Sequence, residues 1–449
     1  MEDDSDLTPT EVNIPLQMES NVGDLVYDPL DLKSLRVPAK GIFLTGIENS
    51  DPWVDGERRD QLKEAFDFYT HYELRLKNIS FLGIKWLRFG PAYSQTHKGP
   101  DNYDFSFCDK VIAKCNELEI NILADMLHFG LPRWLHGDNE SAPFFQNPKF
   151  PEEFARYVRE FSLRYPKIIF FTLINEPYIA AFFSAKIGIW NEHKRSLWAD
   201  DRDFIKAVKN IAKAAILGRK EIERIWKEEQ RPGMPVFVQN ESFEVSLAEH
   251  PSRQEEALRF NLRRFAALDL ILGKEDERMR NYLISQGMTE EEYSWFMVNG
   301  YKGNTILGID HYPTCVHILE EKNTINCDPL HPYQLYTLVV EYSQRYKLPL
   351  LHTETNGWPD HALSICQKTY DVIAQLRTEG YQILGMGWYG DEYQVGWHHA
   401  LVGPRSREEN HVGLFYRGKI QPVGILFGEL AKKGFPPIGI DPAETKKEF

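Results

Sequence analysis

The chain has 449 residues, 42% of them apolar and 13% aromatic, and carries a formal net charge of −14 at pH 7. That surplus of carboxylates argues against nucleic acid or an anionic membrane as a main partner, because a phosphate surface needs a basic counterpart. Five cysteines (Cys108, Cys115, Cys315, Cys327 and Cys366) are odd in number and lack metal-ligand spacing, so reduced thiols in a cytoplasmic protein are expected rather than a disulfide framework.

In chain order, residues 1–35 are acidic, polar and punctuated by proline; they predict a loosely held arm and carry no secretory signal. From residue 36 to the end a single domain is expected. Short apolar runs at 41–46, 84–90, 120–127, 167–174, 235–240, 305–312, 348–353 and 383–388 alternate with amphipathic stretches such as 150–165 and 204–229. Strands that read as nearly continuous apolar runs are buried on both faces, and eight of them separated by helices close a (β/α)8 TIM barrel with loop insertions, of the α/β class. Residues 273–304, with Tyr293, Trp295 and Phe296, predict an insertion between the fifth and sixth strands. No run of eighteen apolar residues predicts a membrane span.

Two glutamates stand just past the ends of candidate strands: Glu176 in TLINEP (172–177) and Glu354 in TETNG (353–357). Placed across the mouth of a barrel, one can protonate a leaving oxygen while the other attacks the anomeric carbon, which is the chemistry of glycoside hydrolysis. The proline after Glu176 predicts an extended backbone there. HKGPDNYDFSFCDK (97–110) and the pair His398 and His399 lack zinc spacing, and no phosphate-binding glycine loop follows a strand. No metal or organic cofactor is expected.

These segments resemble the acid/base and nucleophile motifs of glycoside hydrolase family 1, the β-glucosidase and β-galactosidase family. KWLRFGPAYS (85–94), LHFGLPRWL (127–135), ILGIDHY (306–312), RFAALDLILGK (264–274) and HVGLFYRGK (411–419) resemble further segments of that family in the same order. The resemblance implies a retaining β-glycosidase with Glu176 as acid/base and Glu354 as nucleophile. It also implies Arg88 and Tyr312 as partners of the nucleophile, and His128, Asn175 and Trp388 as sugar contacts.

Departures fall around the far side of the sugar. Phe129 and Gly130 stand where the family has Trp and Asp, and Thr355 is an extra residue in the nucleophile segment. The family's distal glutamine has no clear equivalent, with Glu48 and Trp53 nearby, and WYGDEYQVGW (388–397) offers Asp391 or Glu392 in place of its distal glutamate. An unusual sugar is therefore expected as partner. A transglycosidase using the same residues, and a sugar-binding protein without turnover, are the alternatives.

Overall fold

A computed structural model describes residues 38–136, 144–191, 200–326 and 333–439. The expected arm over 1–35 lies outside these residues, as does Cys327. Eight parallel strands close a barrel: β1 (Ile42–Gly46), β2 (Trp86–Phe89), β3 (Asn121–Asp125), β4 (Phe170–Thr172), β5 (Val236–Ser242), β6 (Thr305–Asp310), β7 (Leu350–Glu354) and β8 (Ile383–Tyr389). Each pairs with its sequence neighbours, and β1 closes the ring on β8. All eight fall within or against the expected apolar runs. β4 is the shortest because Leu173 to Glu176 leave the ladder to turn into the site.

The strands are followed by α1 (Phe68–Phe81), α2 (Ser106–Glu117), α3 (Phe150–Arg164), α4 (Arg202–Glu228), α5 (Ala266–Ile271), α6 (Tyr333–Tyr346), α7 (Ala362–Thr378) and α8 (Pro422–Lys433). In α3, Phe150, Phe154, Tyr157, Val158 and Phe161 recur at helical spacing and are buried, with proline in the first turn, glutamates beside it and Arg164 in the last turn. Residues 273–304 hold a pair of helices, Glu277–Ser285 and Glu290–Asn299. The second starts at a reciprocal cap between Thr289 and Glu292, and it buries Tyr293 and Phe296.

Two-residue periodicity explains what fills the barrel. Trp86, Leu123, Val236, Val238 and Ile306 belong to one buried apolar cluster that plugs the lower part. Moving toward the strand ends in steps of two reaches Arg88, Asp125, Asn240 and Asp310, all 0% exposed. An apolar base thus carries a charged, hydrogen-bonded layer at the carboxyl ends of the strands, the face where barrels of this kind hold their sites.

Candidate active site

Glu176 follows β4 and opens the short helix Pro177–Ala181. Its backbone is left-handed, with φ 37° and ψ 67°, which corrects the extended conformation expected before proline. The reversal is held from both sides: the Ala180 N–H donates to the Glu176 carbonyl at 2.9 Å, and the Tyr178 N–H donates to Glu241 Oε2 at 2.8 Å. A non-glycine residue in this region is strained, and such strain persists only where the surroundings impose it.

Glu354 ends β7. The β6–β7 register slips between Ile309 and Asp310, pairing Ile309 with His352 and Asp310 with Glu354, so that Thr353 is the extra residue of a bulge. Bulges re-aim side chains, and this one brings Thr353 Oγ1 to 2.6 Å from Asp310 Oδ1 beside the Glu354 carboxylate. Gly308 lets the neighbouring strand close in: a Cβ there would meet the Cβ of Asn240 at 2.5 Å.

Both oxygens of Glu354 have donors. Arg88, 0% exposed, donates one guanidinium nitrogen to Oε1, and the Tyr312 hydroxyl donates to Oε2 at 2.5 Å. The other guanidinium nitrogen of Arg88 reaches Asp125 Oδ2 at 3.0 Å and donates to Asn175 Oδ1. Charge-assisted contacts of this kind fix the orientation of a carboxylate. Glu176 sits in a different environment. Burial first, then the charges of Asp310, Glu354, Glu241 and Glu244, push it well above the ordinary carboxyl range. One oxygen each of Glu176, Glu354 and Asp310 lies within 4.8 Å of the other two. Three carboxylates of this kind can offer oxygens to a cation, but Arg88 and Tyr312 already engage Glu354, and Thr353 and Asn240 engage Asp310.

The two glutamates, His128 and Tyr312 line a cleft of about 280 Å³, walled further out by Ile179, Phe183, Trp358 and Trp397. His128 shares a proton with Asp125 at 2.8 Å. Burial would lower its pKa, but Asp125 and Glu48 outweigh that and raise it. Asn175 is fully buried, its amide engaged by Arg88, Asn240 and His128 (Nδ2 to Nε2, 3.0 Å).

The far wall differs from expectation. Glu48 lines the cleft, accepting from the Ser50 N–H at 3.1 Å and from Gln394 Nε2 at 3.0 Å, with His128 Nε2 at 3.7 Å. Asp391 and Glu392 do not line it. Asp391 is locked in a buried bidentate pair with Arg75 at 2.8 and 2.5 Å, and Glu392 caps the backbone N–H groups of Arg417 and Gly418 at 2.7 and 2.6 Å. Their carboxylates hold loops together because both oxygens of each are spent on donors inside the protein. Trp388 is also displaced from its expected place: fully buried, it donates its indole N–H to the Val412 carbonyl at 2.9 Å, leaving Val412 to face the cleft. Trp53 packs behind, donating to the Leu131 carbonyl at 3.1 Å.

Sequence reasoning missed Asp310, Asn240 and Gln394. Only Asp310 had a signal, as an acid in the candidate strand ILGIDHY.

The model of the family described as glycosyl hydrolase family 1 matches residues 52–353. That span takes in Glu176 and stops one residue short of Glu354. Among solved structures, the family 1 β-glucosidase from Thermotoga maritima superposes with a TM-score of 0.68 at 14% identity, covering 89% of this chain and 99% of its own. The same T. maritima enzyme in complex with castanospermine and in complex with deoxynojirimycin gives the same values. No curated protein matches in sequence.

Proposed function

The chain belongs to glycosyl hydrolase family 1, and on that premise we propose that it is a retaining β-glycosidase working through Glu354 and Glu176. The observation that carries the reading is that one oxygen of each carboxylate lies within 4.8 Å of the other. Retaining enzymes hold this pair about 5–5.5 Å apart, whereas inverting enzymes need roughly 6.5–9.5 Å to seat a water between them.

In the first step an oxygen of Glu354 bonds to the anomeric carbon as the bond to the leaving oxygen breaks, and that oxygen takes the Glu176 proton. In the second, water gives a proton to Glu176 and bonds to the anomeric carbon while the electron pair of the ester bond returns to Glu354. Arg88 and Tyr312 hold the nucleophile in line until it reacts. The elevated proton affinity of Glu176 supplies the acid the first step needs.

The sugar is distinguished at the far wall. There an acid on the β1 side and an amide on the β8 side, Glu48 and Gln394, line the cleft and share a hydrogen bond at 3.0 Å, with His128 3.7 Å from Glu48. This pairing supports an uncommon preference among neutral or amine-bearing pyranoses. Four carboxylates line the cleft, from Glu48, Glu176, Glu244 and Glu354, and no lysine or arginine does so among the described residues, which disfavours phosphorylated or acidic sugars. The buried free thiols of Cys108, Cys115, Cys315 and Cys366 fit the reducing compartment proposed for it, and no helix among the described residues is long and apolar enough to cross a membrane.

Proton NMR of the first-formed sugar from a panel of aryl β-glycosides tests the reading. The β-anomer should appear first with the intact protein, and Glu354→Gln should abolish its release. Initial α-anomer, or turnover unaffected by that substitution, would remove the mechanism.

A further inference from the structure

Resting on the glycosidase reading of this site, we infer that the cleft continues into a leaving-group pocket for a second, hydroxyl-bearing sugar ring, and that Glu244 is the residue that selects it. The placement follows from the ring of strands. Glu48 follows β1, and β5, which leads into Glu244, stands across the closed barrel from it. The reacting pair comes from β4 and β7, one on either arc between them. A sugar held by the far wall therefore presents its reacting carbon to Glu176 and Glu354, and the group that departs lies on the β5 and β6 side. There Ser242, Glu244 and Thr314 line the cleft together with Ile179 and Phe183 from the segment after Glu176.

Glu244 stands nearer solvent than the nucleophile: its side chain is 24% exposed, against 4% for Glu354. Both of its oxygens are held. Oε1 accepts from the Ser242 hydroxyl at 3.2 Å, and His317 Nε2 lies 2.9 Å from Oε2. Each oxygen can accept a further donor, so the carboxyl group is oriented at the cleft wall with acceptor capacity left. Its support is built outside the barrel. Val245–Ala248 pairs in parallel with Val316–Leu319, setting Ser246 opposite His317, and the second of these pairs with Thr324–Asn326, setting His317 opposite Asn326. This small sheet ties the chain after β5 to the chain after β6 and fixes His317 against Glu244. Neither residue falls in a segment that resembles the family motifs.

The pocket also has an apolar wall. After the short helix that Glu176 opens, Phe182–Lys186 winds as a π-helix, a form that appears mostly at functional sites. Its Phe183 lines the cleft, the ring braced 4.6 Å from that of Trp190. A pyranose matches such walls, because its hydroxyls donate to a carboxyl oxygen while its C–H face packs on an aromatic ring. An aryl or alkyl leaving group uses Phe183 and Ile179 alone and gives Glu244 no donor in place of the water it displaces.

The test is binding to Glu354→Gln, which lacks the nucleophile, so that the pocket is read whether or not turnover occurs. The probes are β-linked disaccharides whose first ring is glucose, galactose, mannose or glucosamine and whose second ring is glucose. Each is compared by titration calorimetry with the cyclohexyl β-glycoside of the same first ring, which keeps the size of the second ring and lacks its hydroxyls. Adding Glu244→Ala should lower the preference for the disaccharide over its cyclohexyl partner by about tenfold, the effect of one hydrogen bond to a partly exposed carboxyl group. A fall smaller than about threefold, or a panel in which no disaccharide binds, overturns the inference. Should Glu244→Ala fail to fold, Glu244→Gln, which keeps the shape and loses the carboxyl group, is read by the same criterion. Aryl β-glycoside turnover by the unaltered protein is read separately. Turnover with an unmoved preference leaves the glycosidase reading standing and removes the pocket, whereas a lowered preference without turnover keeps the pocket and removes the glycosidase reading.

Discussion

The two sides of the cleft are built by different rules. On the reacting side, Arg88 and Tyr312 engage Glu354, Arg88 also engages Asp125 and Asn175, and a left-handed turn directs Glu176. On the far side, Glu48 meets Gln394 and His128, while the nearby acids Asp391 and Glu392 are consumed by Arg75 and by backbone N–H groups. The family match over residues 52–353 includes Arg88, His128, Asn175, Glu176 and Tyr312 and ends before Glu354. Geometry around a reacting carbon is set by the transition state and tolerates little change. A wall that reads hydroxyls can be rebuilt from any set of donors and acceptors with the right spacing.

The comparison breaks most visibly if the reacting side is removed. Glu354→Gln should cut aryl glycoside turnover by roughly 10⁴-fold or more, the scale on which losing a covalent nucleophile is felt. Glu176→Ala comes next, and its effect depends on the leaving group. Glycosides of poor leaving groups should lose about 10²–10⁴-fold, while an aryl group acidic enough to leave unprotonated should lose much less in the first step. Equal losses for both kinds of substrate would show that Glu176 is not the proton donor.

Changes on the far side should be smaller and should reorder sugars rather than abolish turnover. Glu48→Gln removes an acceptor and a charge from the wall, and Gln394→Glu places a second carboxylate against the first. Each should change the ratio of kcat/KM between two sugars differing at one distal hydroxyl by about 10–200-fold, the range of ~1–3 kcal/mol that one such contact carries. A uniform drop across all sugars would mean that this wall supports the fold and does not select substrate.

What could be read from the sequence follows the same line. All eight strands were legible because a strand buried on both faces leaves a short, unbroken apolar run, as in ILGMGWY of β8. Glu176 and Glu354 were legible because a strand end followed by a turn is a local pattern. Asp310 showed only as an acid in ILGIDHY, since the bulge that sets it against Glu354 arises between β6 and β7 and has no sequence signature in either. Asp391 and Glu392 stood close to the expected offset, yet the Arg75 that captures Asp391 is 316 residues away in the chain. Whether a carboxylate faces a ligand or an internal cation is decided by contacts of that range.

The smallest effect concerns the support behind the far wall. Asp51 is 1% exposed and lies against Gly130, where a Cβ would meet its Oδ1 at 1.7 Å. Burial raises it from 3.8 to about 7, against the pull of Arg58 and Ser94. Its folded pKa being the higher one, the folded state keeps a proton that the unfolded chain has released. The stability this contributes is fully present below 3.8 and is lost as pH rises toward about 7. Buried His97, His311 and His352, lowered by burial to about 4, about 4 and about 3, work in the opposite direction over an overlapping window, so the melting curve of the unaltered protein mixes both. The difference between Asp51→Asn and the unaltered protein isolates one group. Near pH 4 the neutral amide resembles the protonated acid and the two should melt together, whereas above pH 7 the variant avoids a buried charge and should melt higher, with the gap opening between those values. A gap that stays constant with pH would mean that Asp51 is ionised throughout, held by Arg58 at 3.7 Å, and that the far wall rests on an ion pair as the reacting side does.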